Sequence, residues 1–155
     1  MVRTLVLGVG NLLLTDDGVG VRVVERLLET HSLPEEVQVV DGGTCGLDLL
    51  PFLVGVEKLI VVDAANLGQP PGTIRRMVGE EVPVFLSQKL SPHEINLPEL
   101  LFSAKLTDIY PPEVVVLGIQ PQSLETSLDL TPPVAAQVDE LVARVLEEID
   151  GREGR

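Results

Sequence analysis

The sequence TLVLG at residues 4–8 is a short apolar run closed by a glycine, a pattern typical of a buried β-strand. In residues 21–29, valines and leucines alternate with arginines and glutamates at the spacing of an amphipathic helix. The run VQVV at residues 37–40 predicts a second strand, because turn-forming residues follow it directly. A strand, a helix and a second strand in this order predict the first unit of a parallel sheet.

Apolar runs and amphipathic stretches keep alternating along the rest of the chain. They predict a short helix over residues 47–53, a strand over 59–62 that ends at Asp63, an edge strand over 73–78, a helix over 98–105, a strand over 114–117 and a last helix that Thr131 begins and Gly151 ends. This order predicts an α/β fold with a mainly parallel sheet and helices on both faces. We expect one domain over residues 1–155, with a frayed tail at 151–155.

Composition narrows the classes of function. The chain has 24 acidic and 11 basic residues and a net charge of −13, which disfavours binding to a phosphate backbone, so we expect no nucleic-acid partner. No segment reaches the roughly 18 uninterrupted apolar residues of a membrane span. The N-terminal sequence also lacks the pattern of a secretory signal, so we expect a cytoplasmic protein without membrane insertion.

Acidic residues follow the first three predicted strands, where α/β sheets bind their ligands. Asp17 and Asp63 follow the first and third strands, which are neighbours in a sheet ordered 2-1-3, so their carboxylates could converge. His93 lies in a predicted capped helical turn at residues 91–94, and a helix N-terminus helps to keep an imidazole neutral and able to coordinate. Two carboxylates and one imidazole suit a divalent ion such as nickel, zinc or iron.

The same residues also have structural interpretations. Asp16 or Asp17 could cap the first helix, and Asp63 could bind loop amides in a turn. His93 could be an ordinary surface residue of a helix. We expect Cys45, the single cysteine, to be a small buried residue rather than a nucleophile, because no basic partner stands near it in the sequence.

A dinucleotide site is a second candidate for the loop after the first strand. Gly8 and Gly10 match the start of the pattern G-x-G-x-x-G, but Leu13 occupies the third glycine position. Asp16 and Asp17 stand where a pyrophosphate would bind. A carboxylate about 4 Å from a phosphate opposes binding by about 1–4 kcal/mol at effective dielectric constants of about 80 to 20. The pattern therefore favours a tight strand-to-helix turn.

The segments described above resemble, in their order, the hydrogenase maturation proteases. The matching motifs are LVLGVGN at 5–11, LTDDGVG at 14–20, DGGT at 41–44, IVVDA at 60–64, PGT at 71–73, SPHE at 91–94 and LGIQP at 117–121. Each motif alone is weak, whereas the ordered set is specific and extends from residue 5 to about residue 145. The resemblance implies a three-layer α/β/α domain with a five-stranded, mainly parallel, mixed and twisted sheet.

The resemblance also implies an activity. An endopeptidase of this family removes the C-terminal extension of a nickel–iron hydrogenase large-subunit precursor that already carries nickel. The nickel-binding roles of the family fall on Asp17, Asp63 and His93, and the metal is implied to come with the substrate rather than to be a tightly held cofactor. A chaperone that binds the nickel-loaded precursor without cutting it is an alternative.

The DGGT segment at residues 41–44 is implied to lie beside this site. Asp41 would assist recognition or catalysis there, and Gly42, Gly43 and Thr44 would contribute to recognition of the substrate. The sequence leaves the catalytic group open among Asp17, Asp41 and Asp63, since either a general base or a metal-activated water can hydrolyse a peptide.

Overall fold

A computed structural model of the chain describes residues 2–87 and 96–151. Over these residues the strands are β1 (Thr4–Val9), β2 (Val37–Gly43), β3 (Lys58–Ala64), β4 (Ile74–Val78) and β5 (Glu113–Ile119). The α-helices there are α1 (Val19–Thr30), α2 (Glu81–Ser87), α3 (Asn96–Leu106), α4 (Pro132–Ala135) and α5 (Val138–Ile149). Two 3-10 helices span Thr15–Gly18 and Leu47–Leu53.

The strands form one mixed sheet in the order β2-β1-β3-β5-β4. Four of them are parallel, and the edge strand β4 runs antiparallel to β5. The chain passes from β1 to β2 on one side and then crosses to β3 on the other side of β1. The strand order therefore switches between β1 and β3, as the sequence predicts, and the expected α/β fold with its five-stranded mixed sheet is confirmed.

Successive residues of the central strands pack into two separate cores. In β3, Leu59 and Val61 pack with residues of the second 3-10 helix and α3. Ile60 and Val62 face the other side and pack with residues of α1 and α5. Both faces of β3 are thus buried, which explains why the strand reads as a continuous apolar run rather than an alternating one.

The last helix differs from its prediction because it is broken into α4 and α5. Gln137 lies at the break, and its side-chain amide donates to the carbonyl oxygen of Gly72 at 2.8 Å. The predicted start at Thr131 is correct, although its hydroxyl does not cap α4 because it donates to Asp16. The predicted stop is also correct, since α5 ends at Ile149 and Gly151 has a φ of +76°.

The helical segments before β5 are longer than the sequence predicts. The helix α2 was not predicted, and α3 begins at Asn96, so Pro98 lies in its first turn, where a missing N–H is tolerated. The predicted turn at residues 91–94 and the tail at 152–155 lie outside the described residues. Within the described residues, no helix has the length and hydropathy needed to cross a membrane.

Candidate functional site

Two glycines bring the start of α1 onto the sheet at the switch between β1 and β3. A Cβ on Gly20, in the first turn of α1, would collide with the carbonyl oxygens of Val62 in β3 and Val9 in β1. A Cβ on Gly8 would in turn collide with the carbonyl of Gly20. Because neither residue has a side chain, the helix N-terminus lies directly over the carboxyl ends of the two strands, which favours negative groups there.

Asp17 lies in the 3-10 helix that leads into α1, and only 4% of it is exposed. The backbone N–H of Asn11 donates to the Oδ2 atom of Asp17 at 2.8 Å. Gly10 makes this turn possible with a φ of +132°, and any Cβ there would overlap the Asp17 carbonyl. The Asp17 carboxylate is therefore held by the backbone of its own turn.

Asp63 occupies the second-last position of β3, opposite Gly118 of β5, and is 1% exposed. The 3-10 helix that carries Asp17 contacts β3. Since β1 and β3 are parallel neighbours, Asp17 and Asp63 belong to the same end of the sheet. Both predicted carboxylates are thus buried at the switch point.

The DGGT segment forms the end of β2 and contains a bulge. Asp41 is paired with Gly8, whereas Val9 is paired with Gly43, so Gly42 is the extra residue in the strand. The turn needs Gly43, whose φ is +48°, and its carbonyl accepts a hydrogen bond from the Gly10 N–H at 2.8 Å. This bond ties the segment to the turn of Asp17, and Asp41 is exposed at the same end of the sheet.

The expectation for Cys45 is wrong, because this residue is exposed. Its backbone N–H donates to the carbonyl of Gly42 at 2.8 Å and closes the turn after β2. The second 3-10 helix begins two residues later, at Leu47. Exposure at Cys45 is therefore a consequence of the bulge and turn that precede it.

The sequence did not predict the main contacts of Asp16. It is fully buried, and its carboxylate accepts hydrogen bonds from the N–H groups of Gln122, Ser123 and Thr131 at 2.8, 3.2 and 2.8 Å. The Thr131 hydroxyl donates a further bond at 2.7 Å. Asp16 therefore fastens the segment after β5 to the turn after β1.

Neither Asp16 nor Asp17 caps the first helix. The N-cap of α1 is Gly18, which has no side chain to supply the bond. Asp16 faces the segment after β5, and Asp17 faces the backbone of Asn11. The two neighbouring carboxylates thus have separate partners on either side of the turn.

This arrangement matches known proteins over nearly the whole chain. The family model described as hydrogenase maturation protease matches residues 21–148. The Hydrogenase 2 maturation protease of Escherichia coli is 41% identical over 145 residues, which are 93% of this chain and 88% of that protein. The hydrogenase expression/formation protein HupD of Rhodobacter capsulatus is 44% identical over 149 residues, which are 95% of this chain and 71% of that protein.

The solved structures agree with the sequence matches. The hydrogenase maturating endopeptidase HybD of E. coli superposes with a TM-score of 0.91 at 39% identity, over 97% of this chain and 94% of that chain. The chain belongs to the hydrogenase maturation protease family. A [NiFe] hydrogenase maturation protease from Thermococcus kodakarensis superposes with a TM-score of 0.78 at 26% identity, over 95% of this chain and 98% of that chain.

Membership of this family makes the chain a protease. It favours that function over the chaperone and over the nucleotide-binding module. The loop after β1 is consistent with this choice, because Asp16 and Asp17 are both buried in it and Leu13, at the third glycine position of the nucleotide motif, is 59% exposed.

The two histidines of this maturation protease lie in different parts of the chain. His93 lies outside the described residues, so its predicted role as a ligand stays a prediction. His31 follows the last residue of α1 and is exposed, with its Nδ1 atom 2.8 Å from the Thr30 hydroxyl. Because α1 starts over the switch point and runs back along the sheet, His31 belongs to the opposite end and is not part of the candidate site.

The described residues alone do not make a complete metal site. Across residues 2–87 and 96–151, no group of three or more His, Cys, Asp or Glu side chains could hold a metal ion. Asp17 and Asp63 supply two oxygen donors at the switch point, and such hard donors accept divalent cations. A metal ion held by this pair would need a further ligand from the remainder of the chain or from a bound partner.

Proposed function

We propose that this protease removes the C-terminal extension of a nickel–iron hydrogenase large-subunit precursor and recognises the nickel that the precursor carries through Asp17, Asp63 and His93. The observation that carries the proposal is the pair of buried carboxylates at the switch point of a maturation-protease fold. Its substrate class is supported by relatives named Hydrogenase 2 maturation protease and [NiFe] hydrogenase maturation protease.

Burial of these carboxylates gives a physical reason for selectivity toward the loaded precursor. Asp17 and Asp63 are already withdrawn from water in the free chain, where electrostatic attraction to a cation is stronger than in water. A precursor that presents a divalent cation gains this attraction, and a precursor without metal does not. Nickel is then the part of the substrate that the protease recognises, and a precursor without nickel binds poorly.

The three carboxylates are assigned two roles, recognition of the metal and proton transfer. Asp17 and Asp63 are buried and are assigned to the metal. Asp41 is exposed at the same end of the sheet, where it can take a proton from the water that attacks the scissile carbonyl. The amide nitrogen of the leaving segment must be protonated as the bond breaks, and the protonated Asp41 can return that proton.

The test is a comparison of two preparations of one precursor. Nickel-loaded and nickel-free precursor are incubated with the protease, and the products are weighed by mass spectrometry. The loaded precursor should lose its C-terminal extension while the nickel-free precursor stays intact. Equal shortening of both preparations would refute the nickel requirement, and binding of the loaded precursor without any shortening would show that the chain acts as a chaperone.

A further inference from the structure

A loop beside the candidate site is held against the turn of the metal-facing carboxylate. Residues 120–131 connect β5 to α4 without a helix or strand of their own. A single bridge pairs Ser127 with Leu14, in which the Thr15 N–H donates to the Ser127 carbonyl at 3.0 Å and the Ser127 N–H donates to the Leu13 carbonyl at 2.9 Å. The loop therefore continues the turn after β1 as a short paired segment.

Side chains anchor the same loop at several further points. The buried Asp16 carboxylate holds its two ends, and the Thr15 hydroxyl donates to the carbonyl of Glu125. The Arg22 guanidinium of α1 donates to the carbonyl of Leu128 at 2.7 Å. Long loops without secondary structure are uncommon in small domains, and they are usually functional when they are ordered.

Two large apolar side chains on this fixed scaffold face solvent. Leu13 and Leu128 are 59% and 60% exposed, whereas Leu14 and Ser127, the residues of the bridge itself, are partly buried. Thr126 and Leu128, on either side of Ser127, are both exposed, as expected where neighbouring side chains of a paired segment lie on opposite faces. Since the loop is held by its anchors, Leu13 and Leu128 are displayed in a fixed position, which is characteristic of an interaction surface.

Leu13 belongs to the same turn as the candidate metal-facing residue Asp17. The Leu13 N–H donates to the Asn11 side-chain oxygen at 2.9 Å. The Asn11 N–H in turn donates to the Asp17 carboxylate at 2.8 Å. Leu13 therefore lies in the turn that a polypeptide whose metal reaches Asp17 would approach.

The surroundings of Leu128 carry negative charge. Glu125 and Asp129 are exposed on the same loop. Arg22, the cation nearest in the contacts of this loop, is already paired with Glu25 at 3.5 Å. A partner that suits this surface presents an apolar side chain with positively charged residues next to it.

We propose that Leu13 and Leu128, flanked by Glu125 and Asp129, form a docking surface for a segment of the polypeptide substrate that carries apolar and basic side chains. The proposal rests on the proposed function, because its occupant is the same hydrogenase precursor. It adds a specificity-determining surface outside the metal-facing carboxylates, fixed in place by Asp16.

The experiment compares the wild-type chain with the double variant Leu13→Ser/Leu128→Ser. Both the Kd for the nickel-loaded precursor and the KM for its cleavage should rise about tenfold or more, because two leucines lose their apolar contact area. The kcat at saturating precursor should change by less than about twofold, since no reacting group is touched. The matched control is Leu106→Ser on α3, which removes a leucine that is 71% exposed and should leave Kd and KM unchanged.

A charge-reversal variant tests the second half of the proposal. In Glu125→Lys/Asp129→Lys the Kd should also rise, and the dependence of binding on ionic strength should become weaker. Thermal melting of each variant should match the wild type, because the altered side chains are exposed. If the serine variant melts at a lower temperature than the wild type, the charge-reversal variant takes its place in the comparison. The charge-reversal variant leaves the backbone anchors of the loop unchanged.

Three outcomes would overturn the inference. The first is an unchanged Kd in both double variants. The second is a Kd that rises equally in Leu106→Ser. The third is a wild-type dimer in sedimentation that the serine variant dissociates without any change in Kd, which would make the surface a contact between two copies of the chain. Precursor that binds but is not shortened would refute the proposed cleavage alone, while the Kd comparison would still decide the docking surface.

Discussion

Both ends of the sheet contain buried carboxylates, but the groups that bind these carboxylates differ between the two ends. Near the amino ends of β3 and β5, Glu148 is 3% exposed, and its carboxylate lies 2.5 Å from Arg76 and 3.2 Å from Lys58. At the carboxyl ends, Asp16 and Asp17 are 0% and 4% exposed. In the part of the chain that the structure describes, these two accept bonds from backbone N–H groups and a hydroxyl, and no cation lies within ion-pair distance of them.

The difference separates a structural end of the molecule from the end that carries the candidate site. At Glu148, burial by itself would raise the pKa, but hydrogen bonds and charge from Arg76 and Lys58 outweigh it and hold the pKa below its ordinary value. The charge there is neutralised within the chain. At the other end, the described residues place only the Asn11 N–H on the Asp17 carboxylate and no cation, which fits the proposal that a substrate brings a divalent cation there.

The largest expected effect is the loss of processing in Asp17→Asn. The amide keeps an oxygen that can accept the Asn11 hydrogen bond, but it removes the negative charge that faces the metal. We expect cleavage of the loaded precursor to slow about a thousandfold, or about 4 kcal/mol in the barrier, with unfolding by urea unchanged or slightly more difficult.

The matched control is Glu148→Gln, which removes the same charge at the other end of the sheet and should leave cleavage intact. Normal processing by Asp17→Asn would contradict the assignment of the functional end. Loss of processing in both variants would show that total charge, rather than the position of the carboxylate, controls the reaction.

The two histidines give a second comparison, between a proposed nickel ligand and an exposed residue at the far end of α1. His93→Ala should sharply reduce processing if the imidazole binds the substrate's nickel, whereas His31→Ala should leave it intact because His31 lies at the far end of α1. Truncation of the exposed His31 should change stability by no more than about 0.5 kcal/mol. Cleavage rates and melting curves of both variants check this, and a His93→Ala variant with full activity would remove this residue from the ligand set.

Asp16→Ala should destabilise the fold by about 3 kcal/mol. The substitution leaves the partly buried hydrogen bonds of the Gln122 and Thr131 N–H groups without their acceptor, and each unsatisfied group costs about 1–3 kcal/mol. Urea unfolding measures the change, and Asp16→Asn should recover part of the loss because an amide oxygen still accepts hydrogen bonds. A stability close to that of the wild type in Asp16→Ala would mean that the loop after β5 does not depend on this carboxylate.

The sequence predicts the elements that are defined by local patterns. The apolar runs of β1, β3 and β5 and the amphipathic spacing of α1 are visible over a few residues, because burial on one or both faces sets the pattern. The break between α4 and α5 is not visible, since it coincides with a bond from Gln137 to Gly72, 65 residues away. The helix α2 was missed because it is short and contains Pro83 in its first turn.

Local sequence patterns likewise predict only part of the candidate site. The position of Asp17 and Asp63 follows from strand order, which the sequence could indicate. The role of Asp16 could not be predicted, because its partners lie 106 to 115 residues away along the chain. The exposure of Cys45 was also missed, since it depends on the bulge at Gly42 rather than on the hydropathy of nearby residues.

The smallest expected effect concerns the pH dependence of stability at the structural end. Glu148→Gln should lower the free energy of unfolding by about 1–2 kcal/mol near pH 7, because Arg76 and Lys58 lose the charge that they bind. The ordinary pKa of 4.5 is lowered in the folded state, so the stabilisation by Glu148 is complete above about pH 4.5 and is lost as the pH falls through the lower, folded value. The difference in unfolding free energy between wild type and variant should therefore narrow on acidification, and the contributions of the other acidic residues cancel in that difference.

Glu140→Gln on the same helix is the control for this prediction, because its exposed pair with Arg144 at 3.0 Å should contribute no more than about 0.5 kcal/mol at any pH. Urea unfolding at pH 7, 5, 4 and 3 measures both differences, and a gap for Glu148→Gln that stays constant or widens toward acid would show that the folded chain does not stabilise Glu148 as an anion.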